Sequence, residues 1–332
     1  MQNKKFSLGI VSAACLLAGA ADLGAQSVVK IDGSSTVYPI TEAVAEEFQK
    51  STGTKVTVGI SGTGGGFKKF ARGETDIQNA SRPIKTEEMT AARAGGVQYL
   101  ELPIAYDALT VVVNAQNKWV DFITVSELKK IWEPEAQGKI TKWNQIRPEW
   151  PDKEFKLYGA GSDSGTFDYF TEAINGKSKA SRADYTASED DNILVQGVEG
   201  DRYSMGYMGY SYYYAHRQKL KALAVEWDAK NKIATRPSKQ TVLSGSYAPL
   251  SRPLFVYVNV KSLDKPEVKK FMDFYFENVA RLAEEVKYVP LPESAYAIVK
   301  DRYEKRKIGT AFGGKGDMAV PIEEILKKEP TP

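Results

Sequence analysis

The chain has 332 residues, 42% of them hydrophobic and 26% charged, with a formal net charge of +3. That composition is ordinary for a globular protein and excludes a disordered one, and the length suits two domains or one large one. So small a charge, without any basic run, excludes the electrostatic footprint of a nucleic-acid or membrane-surface binder.

Lys4 and Lys5 precede an apolar stretch over 6–21, and small-residue sites follow at Ala18-Gly19-Ala20 and Leu23-Gly24-Ala25. This predicts a cleaved secretory signal peptide over 1–25, too short and wrongly flanked for a membrane span. The single cysteine, Cys15, lies inside it. Lipid anchoring at Cys15 is the alternative, but Ser12-Ala13-Ala14 lacks the bulky aliphatic residue expected three places ahead of such a cysteine. The expectation is a soluble secreted or periplasmic protein starting at Gln26, with no cysteine and no disulfide.

Residues 28–31 read as a short strand, and 41–50 as a helix with Ala43, Val44 and Phe48 on one side, ended by Gly53. A second strand is predicted over 55–60, a helix over 66–72 and a third strand over 75–80. Such alternation argues for an α/β sheet that is mostly parallel. Two longer β-rich runs follow, "LPIAYDALTVVVN" at 102–114 and "SRPLFVYVNV" at 251–260. Between them lies a block of about 140 residues, the size of a domain. The two runs therefore predict two crossovers between lobes, the alternative being one large sheet with a long insertion. Residues 265–283 return to helix, with Val268, Phe271, Met272, Phe274, Tyr275 and Phe276 among charges, and a polar tail follows Phe312.

Three clusters of hydroxyl residues and glycine stand ahead of helical patterns: Gly33-Ser34-Ser35-Thr36, Ser61-Gly62-Thr63-Gly64-Gly65-Gly66, and 159–166 ending in Asp163-Ser164-Gly165-Thr166. Each offers backbone N–H donors at a helix start, where the dipole adds about half a positive charge. Any one of them alone is explained by capping and turn chemistry. Three converging on one point would hold a tetrahedral oxyanion.

Catalytic motifs are not formed. Asp163-Ser164-Gly165 is similar to the sequence around a trypsin-like nucleophile, but the sole histidine, His216, follows that serine, and no Gly-x-Ser-x-Gly elbow is present. One histidine and no exported cysteine argue against a conventional zinc site. Phe67 separates Gly66 from Lys68, so the glycine loop is not a Walker motif, nor does it carry the spacing of a dinucleotide fingerprint. The aromatic run at 202–217, with six tyrosines and with Gly206 and Gly209, reads as close-packed strand and turn serving core and lobe-surface packing.

Taken together, "DGSSTVYPITEAVAEEFQKSTG", "GISGTGGGFKKFARGETDIQNASRPIK", "GAGSDSGTFDYF" and "SMGYMGYSYYY" resemble the periplasmic phosphate-binding proteins of high-affinity ABC-type phosphate importers, including the branch common in cyanobacteria. The likeness runs from Val28 to about Tyr296. It implies a two-lobed α/β periplasmic binding protein of type 2, a flytrap with two hinge crossovers: lobe I from 26–106 and 252–332, lobe II from 107–251. It also implies binding of inorganic phosphate and delivery to membrane permease subunits, by a monomer without catalysis, cofactor, metal or nucleic acid. Another tetrahedral oxyanion (sulfate, molybdate, tungstate or arsenate) is the alternative ligand, and a secreted phosphatase or serine hydrolase the alternative class.

Carried over by motif, the resemblance assigns Ser34, Ser35, Thr36 and Val37 to a first anion loop. Thr63 and Gly64, with Ser61 nearby, form a second, and Ser164, Gly165 and Thr166 a third. Two departures follow. Where the family has an aspartate before Ala-Pro, this chain has Ser81 and Arg82 ahead of Pro83, and where it has an arginine four residues before the Ser-Gly-Thr serine, this chain has Ala160. Arg82 is then expected to supply the displaced charge, and a serine hydroxyl or Asp163 to accept the phosphate proton. A buried polar group left unmatched would reject the wrong anion.

Overall fold

A computed structural model of the chain describes residues 28–331, apart from 163, 189, 231 and 314–320. The expected signal peptide over 1–25, with Cys15, lies outside the described residues. The first half-sheet is built from β1 (Val28–Gly33), α1 (Tyr38–Thr52), β2 (Lys55–Val58), α2 (Gly62–Ala71), β3 (Ile77–Ala80) and α3 (Thr86–Ala94). β1 lies between β2 and β3, parallel to both. α1 starts around Pro39, whose missing N–H is no loss in a first turn. It buries Ile40, Val44, Ala45 and Phe48, and ends at Gly53, left-handed at φ 72°, whose N–H bonds to the Gln49 carbonyl.

α2 begins at Gly62, four residues ahead of the predicted start, so the glycine run is its first turn rather than a loop before it. Local propensity opposes this, since glycine is the poorest helix former after proline. Packing overrides it: a Cβ on Gly66 would stand 2.1 Å from Gln78 Oε1 and 2.6 Å from Gly33 Cα. The helix sits so close to β1 and β3 that only glycine fits.

β4 (Tyr99–Asn114) runs sixteen residues, all buried. The second half of the molecule follows: β5 (Phe122–Thr124), α4 (Val125–Trp132), β6 (Lys156–Ala160), α5 (Gly165–Asn175), β7 (Thr186–Ser188), α6 (Asp191–Gly200), β8 (Ser204–Gly209), α7 (Tyr210–Ala215), β9 (Leu220–Ala222), β10 (Ala224–Glu226) and α8 (Lys239–Leu243). The chain returns on β11 (Ser251–Asn259) and closes with α9 (Pro266–Glu285), β12 (Val289–Pro290), α10 (Glu293–Glu304) and α11 (Ile322–Leu326).

The strand order is β2-β1-β3-β11-β4-β8-β6-β7, with β12 and β9 also on β4. Residues 99–108 of β4 pair with β11, and residues 109–114 pair with β8 and β9. One strand therefore belongs to both half-sheets. The expected mostly parallel sheet is corrected to a mixed one. Pairing is parallel at the two ends, but antiparallel around β4 and β11. The reason is directional: the chain leaves the first half on β4 and comes back on β11.

The C-terminal helix buries Val268, Phe271, Met272 and Tyr275 as its spacing predicts, with Phe271 edge-on to Phe48 of α1 at 5.3 Å. In the second half, Phe170 of α5 stacks on Tyr207 at 3.7 Å, so that tyrosine of the aromatic run is core. The residues after Gly209 form α7 instead of a turn. The polar tail is also more than a tail. Within it α11 buries Ile322, Ile325 and Leu326, and the guanidinium of Arg302 on the preceding α10 donates to the Leu326 carbonyl at 2.6 Å.

In the second half, the buried Arg182 donates to the Ile131 and Ile140 carbonyls and to the Asp184 carboxylate. That guanidinium holds the Asp184 carboxyl at about 2, down from an ordinary 3.8. A depressed carboxylate stabilises the fold above its ordinary pKa and loses that contribution as pH falls toward the depressed value. Asp184→Asn should therefore cost about 1–2 kcal/mol at neutral pH, the side chain being partly exposed and screened. Urea titrations should show the gap to the parent narrowing between pH 4 and pH 2. A gap that stays constant with pH would rule out the ion pair as its source.

Candidate functional site

The loops after β1, β2 and β3 leave the same edge of the first half-sheet, since these strands are parallel and Gly33 stands in register with Asn79. In the first loop Ser34 and Thr36 are buried. The Ser34 N–H donates to the Asn79 carbonyl at 2.9 Å, and its hydroxyl accepts the Thr36 N–H at 3.2 Å. Val37, fully buried, is the N-cap of α1, and Ser35 between them is half-buried. The Thr36 carbonyl accepts from the Tyr288 hydroxyl at 2.7 Å, which ties this loop to the C-terminal segment.

The second loop divides. The Ser61 hydroxyl donates to the Asp32 carboxylate, which also holds Lys69 Nζ at 2.6 Å. Burial works to raise the Asp32 carboxyl, but the Lys69 and Ser61 bonds outweigh it and bring it below the usual range. The Ser61 hydroxyl is therefore engaged with this ion pair. Thr63 turns the other way. Its hydroxyl accepts the Ser81 N–H at 3.1 Å and lies 3.0 Å from the Ser81 hydroxyl, joining the second loop to the segment after β3. At Gly64 an added Cβ would meet Arg82 Nη2 only at 3.8 Å, so its backbone is accessible beside that guanidinium.

Arg82 is heavily engaged. Both of its Nη atoms donate to Glu88 at 2.8 Å, and Nη1 also reaches the Pro83 carbonyl at 3.1 Å. Burial alone would favour losing the proton, and the Glu88 carboxylate overrides it. Glu172 of α5 adds to this from the second half of the molecule.

The third loop leaves β6 and enters α5. Ser164 is the N-cap, its hydroxyl accepting the Thr166 N–H at 3.1 Å. Gly165 lies against the first loop: a Cβ there would stand 2.5 Å from Thr36 Oγ1 and 2.9 Å from Thr36 Cα. The two halves thus meet where two of the three clusters meet. Ala160 is buried at the end of β6, with its carbonyl accepting the Tyr185 hydroxyl at 2.9 Å. Asp163 lies outside the described residues. His216 closes the C-terminus of α7, and Ser164 acts as a cap.

Two charged residues absent from the sequence-based set stand beside this meeting point. Arg252, near the start of β11, faces Asp107 of β4 in register, with Nη2 3.5 Å from Asp107 Oδ2 and 3.3 Å from Thr36 Oγ1. The guanidinium lies 3.6 Å from the centre of the Tyr169 ring on α5. Burial pushes the Asp107 carboxyl up, and Arg252 opposes that. The signal was in the sequence: one charge of each sign inside the two long β-rich runs, where a lone charge needs a partner.

Residues 20–279 match the family model described as a PBP superfamily domain. The chain is 50% identical over 331 residues to Protein SphX of Synechocystis sp., covering 98% of this chain and 97% of that protein. It is 42% identical over 286 residues to the phosphate-binding protein PstS of Staphylococcus saprophyticus, covering 85% of this chain and 86% of that one. Among solved structures, a possible phosphate binding protein from Planctomyces limnophilus superposes with a TM-score of 0.80 at 47% identity, covering 84% of this chain and 98% of that one.

Proposed function

Since this chain belongs to the PBP superfamily as a PstS/SphX-like member with the two-lobed type 2 fold, we propose that it binds inorganic phosphate and delivers it to an ABC-type phosphate transporter. It is a solute-binding protein and not an enzyme. The observation that carries this is the approach of Gly165 to Thr36, which brings an anion loop from each half to one point. In this reading the phosphate oxygens take backbone N–H groups and hydroxyls of Ser34, Ser35, Thr36 and Val37. Thr63, Gly64, Ser81 and Arg82 contribute from the same lobe, and Ser164, Gly165 and Thr166 from the other, with Asp163 beside them.

The lobes divide at 106/107 and 251/252, within two residues of the place where β4 changes partner, between Ala108 and Leu109. Phosphate bridges both lobes only when they are closed, so binding favours closure. The leader over 1–25 directs export to the periplasm, where the protein acts as a monomer. Among the described residues no helix is long and apolar enough to cross a membrane.

Calorimetric titration of ligand-stripped protein with phosphate, sulfate, molybdate and AMP tests the reading. One phosphate per chain is expected, with the other three binding far more weakly. p-Nitrophenyl phosphate should release no product above buffer. Turnover that survives repurification and is lost in Ser164→Ala would overturn the binding role, and preference for another oxyanion would overturn the ligand.

A further inference from the structure

We propose that Arg252 is the principal cation of the anion site, donating to the ligand at the junction of the two lobes. This rests on the phosphate reading above and adds a residue to it. Position is the first argument. Arg252 Nη2 lies 3.3 Å from Thr36 Oγ1, the atom that an added Cβ on Gly165 would meet at 2.5 Å. The guanidinium edge is therefore at the point where the first and third loops come together. Its face is covered by Tyr169 of the opposite lobe, which leaves the edge to make hydrogen bonds.

Engagement is the second argument. Arg82 donates three hydrogen bonds of 2.8–3.1 Å, two of them a fork onto Glu88. A cation neutralised in that way has little net field left for an incoming anion. Arg252 makes one long contact of 3.5 Å with Asp107, and its side chain is 12% exposed. Its Nε is buried with no acceptor in bonding range among the described residues. A buried guanidinium donor without an acceptor is rare in a folded protein unless something else supplies one.

Chemistry is the third. A planar guanidinium matches two oxygens of a tetrahedral oxyanion at once, which a lysine cannot do. By donating to the Thr36 oxygen, Arg252 also leaves that hydroxyl's own proton to point elsewhere, as the ligand needs of it. Ala160, where the resemblance places an arginine, is buried and apolar, so the charge has to come from another strand. β11 brings it from the crossover side.

The test is calorimetric titration with inorganic phosphate of the parent, Arg252→Gln, Arg252→Lys and Arg82→Gln, alongside ligand-free melting curves. Arg252→Gln should bind about ten- to a hundredfold more weakly, as expected for a charged hydrogen bond. Arg252→Lys should fall between it and the parent, keeping the charge without the fork. Arg82→Gln should lose less than Arg252→Gln. If the parent binds phosphate and Arg252→Gln stays within twofold of it, the assignment of Arg252 fails and the phosphate reading stands. Should Arg252→Gln not fold, Arg252→Lys decides: an affinity within twofold of the parent overturns the forked contact. A parent that does not bind phosphate overturns both.

Discussion

Gly165→Ala is expected to bind phosphate about ten- to a hundredfold more weakly than the parent, while the ligand-free proteins melt together. A Cβ at this position would stand 2.5 Å from Thr36 Oγ1, 2.9 Å from Thr36 Cα and 3.0 Å from Thr36 N. Two of those atoms are backbone and cannot swing aside as a side chain tip could. The lobes must then stay apart by a fraction of an ångström to an ångström, and overpacking of that kind costs about 1–3 kcal/mol. Alanine is otherwise welcome in the first turn of α5, where it raises helix propensity, so the penalty falls on the closed state alone. Small-angle scattering should show the parent compacting with phosphate and the variant compacting less. Parent-like affinity and compaction in Gly165→Ala would mean that the lobes do not meet there when ligand is bound.

Gly66→Ala should have its effect on the fold. If α2 had room, alanine would stabilise it by up to about 1 kcal/mol. There is none: the new Cβ would meet Gln78 Oε1 at 2.1 Å and Gly33 Cα at 2.6 Å. Gln78 is fully buried and held by bonds from its Nε2 to the Thr63 and Asn79 carbonyls, at 3.0 Å and 2.8 Å. Relief requires breaking these or lifting the helix, so the expected result is a loss of about 2–4 kcal/mol. The urea midpoint should fall with the slope unchanged, and phosphate affinity should fall too, because α2 carries Thr63 and Gly64. A variant as stable as the parent would show that α2 is not seated on β1 as described.

Much of this architecture is visible before folding. α1 and α9 show their apolar stripes, and β4 and β11 show long apolar runs that no surface element would carry. The start of α2 was hidden because Gly64-Gly65-Gly66 is a loop by local propensity, and the reason for it lies in Gly33 and Gln78, distant in sequence. α11 was hidden in a charged tail whose few apolar residues acquire meaning only against α10. The first and third clusters, which the fold brings together at Thr36 and Gly165, stand out in the sequence because hydroxyl residues and glycine before a helix have few uses. Arg252 and Asp107 could not be paired from the sequence, since 144 intervening residues separate them and only the β4–β11 register brings them opposite. Glu88 lies six residues beyond Arg82, across Pro83, and no single helix or strand spans the two.

The two connections that join the halves have a mechanical consequence. β4 and the chain entering β11 run side by side at the boundary, with the Leu109 N–H donating to the Leu250 carbonyl at 2.8 Å and Ser251 in register with Ala108. One linking strand would act as a swivel, free to twist as well as fold. Two connections bonded to each other resist torsion and sliding. What remains soft is rotation about a single pivot line, so the molecule has in effect one internal coordinate. Outer surfaces far from the anion must then shift in fixed proportion to the gap between Gly165 and Thr36. A membrane partner that touches both halves can gauge whether the protein is loaded from their spacing alone, without touching the cargo.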